Sequence, residues 1–190
     1  MIDCTAVLVS GGKSSRMGTD KAWLDVGGVP LWQHQLRKLQ EFASEVIISA
    51  RPGRFDSVNT GCRVIPDEVP DLGPLGGLAS ALPAATFEKV LVLAIDMPEM
   101  TGAYLAGLVE IASGECGVVP VWEGFYQGLA AVYPRKILPI VIEILNGTDH
   151  SLQHLNRVAI ERGAMRTKPV TIQEAPLFRN WNQPVDPSSP

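Results

Sequence analysis

The chain has 190 residues and is 46% hydrophobic, enough to bury one substantial core, so a single domain is expected. Its formal net charge of −4 offers no dense basic face, which argues against nucleic acid as a partner. The three cysteines, Cys4, Cys62 and Cys116, stand far apart without a C-x-x-C pair, which argues against a disulfide framework or a zinc site.

No basic segment followed by an apolar one opens the sequence, and no apolar run approaches a membrane span. A soluble cytoplasmic protein is the expectation. Along the chain, short β-rich runs alternate with helical patterns. Thr5–Val9 predicts the first strand, which runs into Ser10, Gly11 and Gly12 and then a loop carrying Lys13, Arg16 and Lys21. Glycines let backbone N–H groups approach an anion closely, and the cations can neutralise a polyphosphate. Met17 stands where a P-loop would place its second glycine, and Lys13 breaks G-x-G-x-x-G, so neither common phosphate loop fits.

A helix opened by Pro30 carries Leu31, Trp32, Leu36, Leu39 and Phe42 at helical spacing. Strands follow at Glu45–Ser49 and Arg63–Ile65. A glycine-led helix is expected over Gly76–Ala85. Val90 to Ile95 is continuously apolar, the pattern of a central strand covered on both faces. Thr101 is a candidate N-cap for a helix reaching Ala112. Strands at Gly117–Val121 and Gly128–Tyr133, helices at Arg135–Leu145 and Ser151–Glu161, and a last strand near Pro169–Ile172 complete the pattern. The basic residues from Arg157 to Lys168 read as a solvated surface. The alternation favours an α/β fold with a mostly parallel or mixed sheet and helices on both faces. Residues 1–182 form the expected domain. Residues 183–190, without periodicity and with three prolines, read as a loose tail.

In such sheets ligands bind beyond the carboxyl ends of the strands, where polar residues collect here. Asp96 follows the central apolar strand and either donates an oxygen to Mg²⁺ or caps the turn before Pro98. Asp67 either accepts hydrogen bonds from a base or ribose or begins a turn. Lys21 either bridges phosphates as a point charge or pairs with Asp20 or Asp25. His34, His150 and His154 lack a metal-like set of companions. Ser10 lacks the flanking glycine of a nucleophile elbow. Trp23, Trp32 and Trp122 read as packing residues.

The run from Leu8 to Lys21, L-V-S-G-G-K-S-S-R-M-G-T-D-K, resembles the nucleotidyltransferase signature L-A-G-G-x-S-x-R-M-G-x-D-K, in the form typical of molybdenum cofactor guanylyltransferases. Matches continue in order at Gly28–His34, Val64–Asp67, Gly73–Gly77, Asp96–Pro98 and Asn180–Pro184. The resemblance implies a three-layer α/β/α, Rossmann-like nucleotidyltransferase fold and transfer of GMP from GTP to molybdopterin. It implies that Val9, Ser10, Gly11, Gly12, Arg16 and Lys21 hold the nucleotide phosphates and nearby groups. Asp67 would meet the nucleoside, Asp96 would bind Mg²⁺, and Asn180 and Asn182 would meet the pterin. Proteins that deliver molybdopterin or accept its product are implied as transient partners.

Ser10 replaces the family's usual Ala, Ser49 stands where guanine-contacting members often have Asn, and Gln183 replaces Thr. A molybdopterin cytidylyltransferase and a non-catalytic GTP- or pterin-binding module are the alternatives. Cytidylyl members resemble L-A-A-G in the loop and D-Q-P at the metal strand, whereas this chain has Ser10-Gly11-Gly12 and Asp96-Met97-Pro98.

Overall fold

The computed structural model describes residues 1–10, 20–67 and 72–181. Gly11, Gly12, Arg16, Asn182 and the tail 183–190 therefore lie outside the described residues.

The apolar runs become the middle of one sheet. β1 (Ile2–Ser10) lies between β4 (Ala43–Ala50) and β6 (Lys89–Ala94), parallel to both, and β5 (Arg63–Pro66) extends the parallel set beyond β4. On the other side β9 (Ala130–Pro134) pairs antiparallel with β6 and with β7 (Gly117–Trp122). β10 (Met165–Pro169) forms the far edge, parallel to β7, and the short β8 (Phe125–Tyr126) folds back on β7 through Glu123 and Gly124. A separate hairpin, β2 (Asp25–Val26) with β3 (Val29–Pro30), links the first loop to the first helix.

Among the described residues five α-helices cover the sheet: α1 (Leu31–Gln40), α2 (Gly73–Ala84), α3 (Gly102–Ile111), α4 (Leu138–Leu145) and α5 (Leu152–Glu161). Successive strand residues point to opposite faces, so β1 supplies Ala6 and Leu8 to one core and Val7 and Val9 to the other. The first core is closed by α1 and α3 through Leu31, Leu36, Leu39, Leu105 and Leu108. The second is closed by α2, α4 and α5 through Leu75, Leu82, Val141, Ile144 and Leu155. Burial of large aliphatic side chains on both faces stabilises the three layers, at about 1.5–3 kcal/mol for each fully buried one. The expected α/β/α architecture is borne out.

Local signals account for several boundaries. Pro30 precedes α1, whose apolar stripe from Leu31 to Leu39 is buried. Thr101 caps α3 by accepting from the Tyr104 N–H at 3.2 Å, and Ser151 caps α5 by accepting from the His154 N–H at 3.1 Å. α2 begins at Gly73 rather than Gly76, because Pro74 occupies its first turn, where a missing N–H costs nothing.

The last strand is Met165–Pro169, ahead of the expected Pro169–Ile172. Its basic residues conceal an edge strand. Arg166 donates to the Ile111 carbonyl, and Lys168 pairs with Glu174 at 2.9 Å. Long cationic side chains can lie over neighbouring elements, while backbone pairing with β7 and the buried Met165 hold the strand. Arg157 and Arg162 match the expected solvated surface, and Arg162 forms a two-pronged pair with Glu143.

Candidate active site

The parallel register brings the site together. Ser10 pairs with Ala50, Ala50 with Pro66, and Val9 with Ala94, so four strands end in one row. The chain moves from β1 outward to β4 and β5, then returns to β6 on the other side of β1. That reversal makes the β1/β6 boundary the topological switch point, where two loops diverge and leave a crevice. Val9 and Ser10 stand at one lip and Asp96 at the other. The Ile95 N–H still bonds the Val9 carbonyl at 3.1 Å, so the two lips are tied together up to the last residue before Asp96.

Lys21 opens a short 3-10 turn, Lys21–Trp23, capped by Asp20, whose Oδ1 accepts from the Ala22 N–H at 3.0 Å. From this turn Lys21 Nζ reaches Asp96 Oδ2 at 3.5 Å. The sequence offered Asp20 or Asp25 as a partner for Lys21, and the structure supplies Asp96 instead. Lys21 and Asp96 are both partly exposed, with side-chain accessibilities of 18% and 26%, so both can meet a ligand in the crevice. Asp67 stands at the end of β5, where its N–H bonds the Ala50 carbonyl at 2.8 Å. Ser49 is buried, and its Oγ packs where a Cβ on Gly77 would come within 3.0 Å.

The loop after β6 is fixed from α1. Buried Gln35 donates to the Ile95 carbonyl at 3.1 Å. Lys38 donates to the carbonyls of Pro98 and Met100, the latter at 2.9 Å. Burial pulls the Lys38 ammonium down to about 8, against the opposing pull of Glu99 and Glu41. Beside the first loop, Arg54 donates both to the Ser10 carbonyl and to Asp20.

A cleft of about 530 Å³ is lined by Trp122, Gln127, Phe178 and Arg179 among others, residues at and after the carboxyl ends of β7 and β10. Asn180, exposed, follows Arg179 directly, and the Trp181 N–H bonds the Asp96 carbonyl oxygen at 2.8 Å. One short segment thus runs from the cleft to the strand end bearing Asp96. Gln127 is held from below. The buried Tyr133 hydroxyl donates to the Gly128 carbonyl at 2.9 Å, and Asn156 donates to that hydroxyl at 3.2 Å.

The structure brings Val9, Ser10, Lys21 and Asp96 around one crevice, places Asp67 two strands away in the same row, and places Asn180 beside the cleft. Arg54, Gln35 and Lys38 had not been singled out from sequence. Arg54 lies in a loop without periodicity, and Gln35 and Lys38 look like ordinary polar positions of an amphipathic helix. Trp122, expected only to pack, lines the cleft. Trp23 and Trp32 do pack, against each other and Phe55, with ring centroids 5.6–6.1 Å apart. Among the described residues no cluster of three or more His, Cys, Asp or Glu side chains could hold a metal by itself. No described helix is long and apolar enough to cross a membrane.

This geometry has counterparts. A family model described as a MobA-like NTP transferase domain matches residues 6–164. The chain belongs to that family. It is 32% identical over 183 residues to a protein of Opitutus terrae named probable molybdenum cofactor guanylyltransferase, with 94% of this chain and 90% of that one covered. It is 31% identical over 153 residues to the molybdenum cofactor guanylyltransferase of Pseudomonas entomophila, covering 79% of this chain and 80% of that one. Among solved structures, the molybdopterin-guanine dinucleotide biosynthesis protein A of Archaeoglobus fulgidus matches with a TM-score of 0.76 at 22% identity. The match covers 95% of this chain and 93% of that one, and it is a likeness of fold. The MobA-like family model ends at residue 164, before Arg179 and Asn180, whereas the Opitutus relative matches over nearly the whole chain.

Proposed function

We propose that this protein transfers GMP from GTP to molybdopterin, releasing pyrophosphate, and that it does so in the cytoplasm. The observation that carries this reading is the convergence on Asp96: Lys21 reaches its carboxylate from the nucleotide side, and Trp181 bonds its backbone from the cleft side. Two substrates joined by nucleotidyl transfer need two neighbouring compartments that meet where Lys21, or a metal ion held by Asp96, would neutralise phosphate charge. The family relatives carry names for this activity.

The triphosphate would lie over the end of β1, with the nucleoside directed along the row of strand ends toward Asp67. Gly11, Gly12 and Arg16 belong to the same proposed phosphate site by sequence position. The pterin would enter the cleft, where Trp122 offers an aromatic face, Gln127 an amide and Arg179 a cation. Asn180 and Asn182 complete that side by sequence position. A terminal phosphate oxygen of molybdopterin would attack the α-phosphorus of GTP in line, forming the new P–O bond as the bond to pyrophosphate breaks. Lys21 would neutralise the charge developing on the leaving group, and the fixed strand ends would hold donor and acceptor in line.

The oxygen-only character and partial exposure of Asp96 fit Mg²⁺, which commonly takes one or two protein carboxylates and completes its shell with phosphates and water. Bound there, Mg²⁺ would supply Lewis-acid polarisation of the α-phosphate oxygens. Transient contact with proteins that deliver molybdopterin or accept the product belongs to the same reading.

The test is turnover with molybdopterin and Mg²⁺, using GTP or CTP as donor. Pyrophosphate release with GTP and formation of the guanine dinucleotide are expected. Preferred use of CTP would move the assignment to the cytidylyl branch. Tight GTP binding without pyrophosphate release would leave only a binding module.

A further inference from the structure

We infer that Arg54 is a positioning residue, which sets the aim of Lys21 by clamping the two described residues that flank residues 11–19; the inference rests on the nucleotidyl-transfer reading. Its guanidinium is nearly buried, at 11% side-chain accessibility, and its two terminal nitrogens go to different acceptors. One donates to the Ser10 carbonyl at the end of β1, and the other donates to the Asp20 carboxylate. A planar guanidinium has donors in a fixed fork, so engaging both acceptors at once fixes their separation. A lysine ammonium is a point charge without that fork.

The consequence passes to Lys21 through the cap. The Asp20 oxygen that accepts from Arg54 is the same Oδ1 that accepts from the Ala22 N–H and starts the Lys21–Trp23 turn. That turn directs Lys21 Nζ to within 3.5 Å of Asp96. The next residue after Arg54 strengthens the arrangement, because the Phe55 ring lies 6.0 Å from Trp23 at the other end of the turn. The loop between β4 and β5 therefore holds the turn at both ends, by charge at Asp20 and by ring packing at Trp23. Arg54 Nε is buried without a hydrogen-bond partner among the described residues, while each terminal nitrogen has an acceptor.

The experiment has a ligand-free arm and a kinetic arm. In the ligand-free protein, Arg54→Met should speed hydrogen exchange of the Ala22 amide by about tenfold, because the Asp20 side chain that caps it is no longer held, while amides of β1 and β4 keep their rates. Unchanged Ala22 exchange would overturn the inference. In turnover, Arg54→Met should lower kcat by about 100-fold, as expected when a charge-bearing group is misplaced by an ångström. In a Lys21→Met background the same change should cost less than about threefold, because the two act through one group. Fully multiplicative losses would mark a merely structural role and overturn the positioning claim. If Arg54→Met does not fold, Arg54→Lys keeps the charge but not the fork, leaves the Asp20 cap chemically intact, and is read identically. A wild-type protein that consumes no nucleoside triphosphate would sink the nucleotidyl reading and leave Ala22 exchange to judge the clamp.

Discussion

The two halves of the sheet place their functional groups in different ways. In the half formed by β5, β4, β1 and β6, every neighbour is parallel, the strands end in register, and Val9, Ser10, Asp67 and Asp96 stand at or just beyond those ends. In the half formed by β9, β7 and β10, β9 runs antiparallel to β6 and β7 while β10 runs parallel to β7. The candidate groups there sit at or beyond the hairpin and the last strand: Trp122 and Gln127 on either side of the β7–β8 hairpin, Arg179 and Asn180 after the last strand. Groups proposed to position phosphates or hold a metal ion stand at the ends of paired strands, where a small displacement would be expensive. Groups that recognise a bulky acceptor can stand on loops supported from beneath.

The sharpest way to break this contrast is Asp96→Ala. We expect kcat to fall by about 10²–10³-fold with the thermal midpoint within about 2 °C of wild type, because the carboxylate serves the crevice and not the core. Full activity, measured by pyrophosphate release, would remove Asp96 from the reaction. Gly117→Ala attacks the other half through its packing. An added Cβ would meet the Val132 carbonyl and Met165 Sδ at 2.3 Å each, where β7 lies between its two neighbours. A loss of about 1–3 kcal/mol in denaturant titrations is expected from overpacking.

A smaller effect separates the substrates. Trp122→Ala should raise KM for molybdopterin about tenfold, the scale of one lost aromatic contact, and leave KM for GTP nearly unchanged. Equal loss for both substrates would contradict the two-compartment view. A different kind of effect concerns Lys38. Its pKa is depressed from 10.5 to about 8 on folding, so between those values the unfolded chain binds the extra proton more tightly. Stability should therefore rise as pH increases through that window, and Lys38→Met should flatten the slope in urea melts at pH values spanning it.

Much of the parallel half was legible in sequence. Continuous apolar runs announced its central strands, and carboxylates directly after such runs announced the rim. The partner of Lys21 was not, because Asp96 is distant in sequence and only the return of β6 beside β1 makes them neighbours. Arg54 was hidden for the same reason: its acceptors are a backbone carbonyl and a carboxylate from an earlier loop. β10 escaped because an edge strand needs no alternation, and its Arg166-Thr167-Lys168 core reads as surface. The Thr101 cap was visible because the cap and its N–H partner are three residues apart.

That basic edge has a bearing on how the molecule behaves in a crowd. An unpaired strand offers a row of N–H and C=O groups to any passing chain, and long apolar edges invite stacking into fibres. β10 is short, carries Arg166 and Lys168, and ends at Pro169, which has no N–H to donate. Two such edges brought together would set like charges against each other. The residues that hid this strand from a sequence reading are the ones that keep the sheet from growing past it.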